Sequence, residues 1–255
     1  MKKTLVILAA LSMGGGALSA PPAAPPAAPP AGAPPPSATG KPAGDVKPAG
    51  GGAGPAGRPV SQEVTTLPTK RRTEIEAVLK SIDSVHGGGY VGGGMEIKWV
   101  PGDEGGYGAF GFLAKGRITL GSSARHWELQ LAHEVGHWMD YWGVQGWTGT
   151  TATLAPEMKD VMDAIRGSGA VLRLTAKAAK DANYGYLLKP TELWARAYSQ
   201  YVAEVSGDKK LLEGVDLWRT GKLRGRDQDS HWDTLDFAPI RDQIEKMMRS
   251  LGWRT

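Results

Sequence analysis

The sequence predicts an α+β domain carried behind an export signal and a proline-rich tether. Three observations carry this. A short basic start precedes an apolar run, the prolines gather early in the chain, and strand-like alternation in the folded part comes before helical periodicity. Strands first and helices afterwards argue against a repeating βαβ sheet, and the folded part shows no long internal repeat.

Composition bounds the chemistry. The 255 residues suffice for one sizeable core or two small domains, and 41% hydrophobic against 22% charged residues predict a folded body. There is no cysteine, which excludes disulfide staples, thiol catalysis, iron–sulfur clusters and cysteine-ligated zinc. A metal must therefore be held by His, Asp or Glu. The 30 basic and 26 acidic residues give +4, too mild a surplus to argue for a nucleic-acid partner.

Residues 1–20 read as a signal peptide. Met1-Lys2-Lys3 is basic, Thr4 to Met13 is apolar, and Ala17-Leu18-Ser19-Ala20 offers small residues for cleavage after Ser19 or Ala20. The apolar run is too short to span a bilayer and ends in Gly14-Gly15-Gly16 and Pro21, so no integral span is expected after its removal. Losing Lys2 and Lys3 leaves a charge of +2. No cysteine follows, so a lipid-anchored form is excluded and the expectation is a periplasmic or extracellular protein, with envelope association open.

Residues 21–59 hold 13 of the 18 prolines, opening with repeated P-P-A-A, and contain one valine (Val46) with no Leu, Ile or aromatic residue. Such a segment buries too little apolar surface to offset its ordering entropy. It is expected to be a disordered, partly polyproline II tether, either a plain spacer or a segment for a proline-recognising or envelope partner.

Residues 60–255 read as one domain. Ile75, Val78, Leu79, Ile82 and Val85 recur at helical spacing, with Gly87 where a C-terminal cap would fall. Met95 to Val100 alternates like a strand, and Ala109–Leu113 with Gly116–Leu120 predict a hairpin across Ala114-Lys115, giving a small antiparallel-edged sheet. Helices are predicted from Arg125 to Trp142, Pro156 to Arg166, Thr191 to Val205 and Phe237 to Leu251.

The Arg125–Trp142 helix contains His133-Glu134-Val135-Gly136-His137. Residues four apart on a helix lie one above the other, so both imidazoles can reach one ion, and Glu134 stands beside the first as a base for a water. This H-E-x-x-H pattern reads as a zinc site with a glutamate general base. Leu131, Val135, Trp138 and Trp142 form an apolar stripe, while Gln130, His133, His137 and Asp140 run along a polar one. The preceding hairpin can offer an edge strand to an extended peptide.

Catalytic zinc takes three protein ligands and leaves one position open. Glu192 is the candidate third ligand: Pro190 favours a helix start, Thr191 is placed to cap it, and Glu192 then falls in the first turn. Ala195 would leave room for the ion, and Arg196 would pair with Glu192 or Asp140 in support. The plainer alternative is an exposed Glu–Arg helix pair.

H-E-V-G-H-W-M-D followed by P-T-E-L-W-A-R-A-Y resembles the gluzincin metallopeptidases, nearest to the lethal-factor-like group and to metallopeptidase domains of phage and mobile-element polyproteins. The resemblance spans about Gly116 to Trp253, including Asp236-Phe237-Ala238-Pro239-Ile240, and leaves the tether outside. It implies a zincin-like domain with one zinc on His133, His137 and Glu192, and Glu134 as base, acting on a protein or peptide substrate. It also implies a tyrosine shortly before the third ligand as oxyanion donor. Tyr184 and Tyr186 both stand there, with Tyr186 preferred. Arg196 matches the phage-type motif, whereas the lethal-factor type carries an acid at that position.

Other residues read as less telling. His126 and His231 are expected in solvent, and Lys209, Lys210, Lys222, Arg224 and Arg226 on a solvated face. Trp138, Tyr141, Trp142 and Trp147 are expected mainly in the core, with one or two free to line an apolar substrate pocket. The competing function is an inert metal-binding scaffold or a tethered binding module without turnover. Glu134, which metal binding does not require, favours the enzyme.

Overall fold

The computed structural model describes residues 59–87, 94–100, 109–112, 116–121, 126–143, 155–220 and 230–254. They belong to one unit of the chain, Ala49–Thr255. The expected signal peptide and, Pro59 apart, the tether lie outside the described residues.

A short helix α1 (Val60–Glu63) leads into strand β1 (Val64–Thr66) and helix α2 (Arg72–Val85). All five apolar positions read from the periodicity of α2 are buried. Its cap is His86 and not Gly87, whose amide instead donates to the Trp253 carbonyl at 2.7 Å. Strands β2 (Met95–Val100), β3 (Ala109–Phe112) and β4 (Gly116–Gly121) follow. The sheet order is β1-β2-β4-β3.

The small antiparallel-edged sheet expected from the sequence needs correction in its body, since only the β3 edge is antiparallel. The body of the sheet is parallel: β1 with β2, and β2 with β4, run in the same direction. The cause is two reversals of the chain. β3 returns antiparallel to β4 and takes the outside position, so β4 regains the direction of β2 and inserts beside it. Met95, Ile97, Ile118 and Leu120 of the paired strands are buried.

Helix α3 (Trp127–Trp138) packs on β4 and β3. It begins two residues later than predicted, because His126 adopts a left-handed conformation with φ of 57°. It also ends earlier, passing into a π-helical turn at Met139–Gly143. A 3₁₀ turn at Pro156–Met158 precedes α4 (Lys159–Gly167), α5 (Gly169–Ala178) and a 3₁₀ segment at Ala182–Leu188. The chain ends in α6 (Pro190–Ser206), α7 (Lys209–Arg219) and α8 (Thr234–Ser250).

Capping explains several boundaries. The Ser168 side chain accepts from the Val171 amide, starting α5 directly after α4. Asp208 and Asp233 do the same for α7 and α8, so α8 starts at Thr234, three residues before the predicted start. In α6 the cap position is Lys189 with Pro190 at the first helical position, and Thr191 lies inside the helix.

Helices α3 and α6 form the central crossing, where Leu131, Val135 and Trp138 meet the buried face of Leu193, Trp194, Ala197 and Tyr198. Gly136 makes the crossing close. A Cβ there would lie 3.0 Å from the Ala195 Cα and 3.0 Å from Tyr198 Cδ1. The Trp194 indole N–H donates to the Gly136 carbonyl at 2.9 Å, locking the level at which the helices meet. That crossing sets His137 opposite the first turn of α6. Among the described residues, no helix is long and apolar enough to cross a membrane.

Candidate metal centre

The structure brings His133, His137 and Glu192 together. The two imidazoles, one turn apart on α3, stand edge-to-face with centroids 4.7 Å apart and Nε2 atoms 3.1 Å apart. Glu192 meets both from α6: Oε2 lies 3.4 Å from His133 Nε2, and Oε1 lies 3.3 Å from His137 Nε2. The three ligand atoms fall within 4.8 Å of one another. Two nitrogens and one carboxylate oxygen converging from rigid helices form a donor set suited to a divalent transition-metal ion. The histidines are half-buried and Glu192 is buried, so one side of the cluster is open to approach.

Its electrostatics are those of a site with concentrated negative charge. Burial alone would raise Glu192, but hydrogen bonds and charges from His133 and His137 hold its carboxyl far below the usual range. Burial also works against a charged His137. The hydrogen bond with Glu192 and the charges of Glu134, Glu192 and Asp140 outweigh it and raise that imidazole. Glu134 is buried within α3, and its charge bears on both His137 and the Tyr186 hydroxyl. Asp140 sits buried in the π turn just after α3.

Tyr186 brings its hydroxyl to the cluster. It projects from the 3₁₀ segment before α6 and donates to Glu192 Oε1. Its residue is 54% exposed, so the ring stands at the open side while the hydroxyl points inward. Burial of the hydroxyl and its bond to Glu192 push its pKa far up, which keeps the proton on the oxygen.

Arg196 supports the site differently from the expected carboxylate pairing. Its guanidinium is buried and donates to three carbonyls: Nε to Glu192 at 3.2 Å, Nη1 to Ser230 at 2.7 Å, and Nη2 to Leu187. It thereby ties α6 to the turn bearing Tyr186 and to the segment entering α8. Burial draws its pKa down to about 10 against the pull of Glu192 and Tyr186, and it remains charged at neutral pH.

Of the remaining expectations some hold and some change. Ala195 serves the close helix crossing at Gly136. His231 is buried at 5% exposure and not solvated. Trp138 is a core residue, and Tyr141 is half-buried. His126 stands outside the cluster, at the start of α3. Lys209 and Lys210 are exposed on α7, with Lys210 Nζ 3.2 Å from Glu128. The Trp142 side chain and Trp147, Lys222, Arg224 and Arg226 lie outside the described residues.

Sequence reasoning passed over Gly136 and gave Arg196, which it did single out, other partners than the carbonyls it meets. Gly136 was read only as part of the motif between two ligands, although glycine inside a helix signals a close approach. Of the carbonyl ties of Arg196, the one to Ser230 joins segments distant in sequence, and only their meeting in space reveals it. No family model matches the chain, and neither does any curated protein or solved structure.

Proposed function

We propose that the chain is an exported zinc-dependent endopeptidase with a zincin-like domain. The observation that supports this most is the convergence of His133, His137 and Glu192, with the ligand atoms within 4.8 Å and Glu134 buried between the two histidines on the same helix. His133, His137 and Glu192 would hold the metal. A zinc ion bound there supplies Lewis-acid polarisation and acidifies water to near neutrality.

The chain's own residues then divide the work. Glu134 takes a proton from the water that attacks the peptide carbonyl and returns it to the departing amine nitrogen. The Tyr186 hydroxyl, which keeps its proton, moves from Glu192 to donate to the developing oxyanion. An extended peptide pairs with the outer edge of β3 through backbone hydrogen bonds. The charges of Glu134 and Asp140 favour a cation at the cluster.

The test is cleavage of a peptide library by the purified chain and by Glu134→Gln. The variant should keep its metal and fold while turnover falls at least ~100-fold, the scale of a positioned acid–base group. Equal cleavage by both proteins would remove Glu134 from the chemistry. Metal uptake with no cleavage in any library would favour the inert metal-binding scaffold.

A further inference from the structure

Lys189 places an ammonium at the mouth of the metal centre. It joins the 3₁₀ segment bearing Tyr186 to helix α6 bearing Glu192, and three constraints fix its backbone. Its amide donates to the Tyr186 carbonyl at 3.1 Å, and its carbonyl accepts from the Leu193 amide at 2.9 Å. Pro190 after it disfavours a helical conformation, and Lys189 takes φ of −59° and ψ of 136°. The side chain folds over the Tyr186 ring, with Nζ 5.0 Å from the centroid. Tyr186 in turn donates to Glu192 Oε1, which puts the ammonium within about 10 Å of that oxygen.

Helix stability does not explain a lysine here. This is the cap position of a 17-residue helix, where an oxygen-bearing side chain would accept from a free amide and where a positive charge opposes the backbone dipole. Lys189 makes no such cap. It is exposed beside the exposed Tyr186 ring, and among the described residues its ammonium meets no carboxylate.

The charge around it has a definite layout. Glu134, Asp140 and Glu192 make the centre negative. Residues 169–189, which span α5 and the 3₁₀ segment packed on it, hold Arg173, Lys177, Lys180 and Lys189 against a single acid, Asp181. The rim that carries Tyr186 is therefore basic, and the centre behind it is acidic.

We propose that Lys189 selects peptides with an aspartate or glutamate about two or three residues from the cleaved bond, its ammonium pairing with the side-chain carboxylate. The inference rests on the metallopeptidase reading and adds the substrate class. A span of about 10 Å is that many residues of extended peptide, so the acid lies clear of Glu134 and Asp140, which repel one at the cleaved bond itself. Tyr186 then serves twice, its hydroxyl at the centre and its ring as the platform for Lys189.

The test uses the full chain loaded with zinc and pairs of quenched-fluorescent peptides built on a library sequence that it cleaves. Within each pair one residue near the cleaved bond is Glu or its uncharged isostere Gln, and every peptide is made with an amidated and with a free C-terminus. Wild type should favour Glu by about 3- to 5-fold in kcat/KM, the scale of a partly exposed ion pair, with the difference in KM and in both kinds of peptide. Lys189→Met should bring that ratio near one, and Lys189→Glu should favour a peptide with Lys at the same position. In wild type the ratio should shrink as salt rises from about 0.05 to 0.5 M, a readout that needs no variant to fold. A wild-type ratio near one or indifferent to salt, a ratio that survives Lys189→Met in a folded, zinc-loaded variant, or a preference confined to free C-termini overturns the role of Lys189 and leaves the metal centre intact. A wild-type chain that takes up no zinc, or takes it up and cleaves no library peptide, overturns the metallopeptidase reading and this inference with it.

Discussion

Helix α6 meets buried or half-buried imidazoles at two levels, and they are bonded in opposite ways. At Tyr198, His86 is fully provided for: Nδ1 donates to the Gly87 carbonyl at 2.7 Å, so Nε2 accepts from the Tyr198 hydroxyl, also at 2.7 Å. Each ring nitrogen has one partner and the tautomer is fixed. At Glu192, two imidazole nitrogens crowd to 3.1 Å and both face one carboxylate. The first arrangement completes the fold. The second gathers two imidazoles and a carboxylate at one point, a set of donors able to hold a metal ion.

Both levels hang from the same helix crossing, so the largest expected effect strikes both. Gly136→Val would press a branched side chain against the Ala195 Cα and Tyr198 ring, each already 3.0 Å from a simple Cβ. Overpacking on this scale is expected to cost about 3 kcal/mol in urea unfolding and to weaken metal binding as well. A variant with wild-type stability would show that the crossing does not set the geometry.

Tyr198→Phe should separate the two levels. It leaves His86 Nε2 buried without its donor, for a cost of about 1–3 kcal/mol. Metal content should not change. If the metal left with that hydroxyl, the distinction between a structural and a functional imidazole would fail.

A smaller and more specific effect is the opposite pH sign of the two levels in metal-free protein. Burial holds His86 below its ordinary value of 6.5, against the Gly87 hydrogen bond and the Asp83 charge. Its contribution is therefore present above 6.5 and is lost as pH falls. His137 is raised above 6.5, so its contribution is present below that value and is lost as pH rises through the raised one. Unfolding from about pH 5 to 8 with chelator should show the stability gap to His86→Gln widening as the gap to His137→Gln narrows. With metal bound, the His137 trend should reverse, because protons then compete for the ligand nitrogens. Parallel trends in chelator would contradict the assignment.

The contrast also shows what could be read from the chain. His133 and His137 were legible because spacing of four on a helix is local geometry, and Glu192 because a proline fixes a helix start nearby. The α+β class followed from the order of strand and helix patterns. The parallel body of the sheet was not legible, since it depends on where β3 goes after it leaves β2. Helix α7 was hidden by its charged surface; only Leu211, Gly214 and Val215 turn inward. His231 looked solvated because the stretch before it is polar, while Trp218, which packs against it beside the adjacent Trp232, comes from elsewhere in the chain.

The most direct measurement is the metal content of the purified chain, by elemental analysis, beside that of His137→Ala. The account predicts one zinc per wild-type chain and none in the variant, with the variant still folded by circular dichroism. Stoichiometric zinc in folded His137→Ala, or none in the wild type after dialysis against zinc, would contradict it.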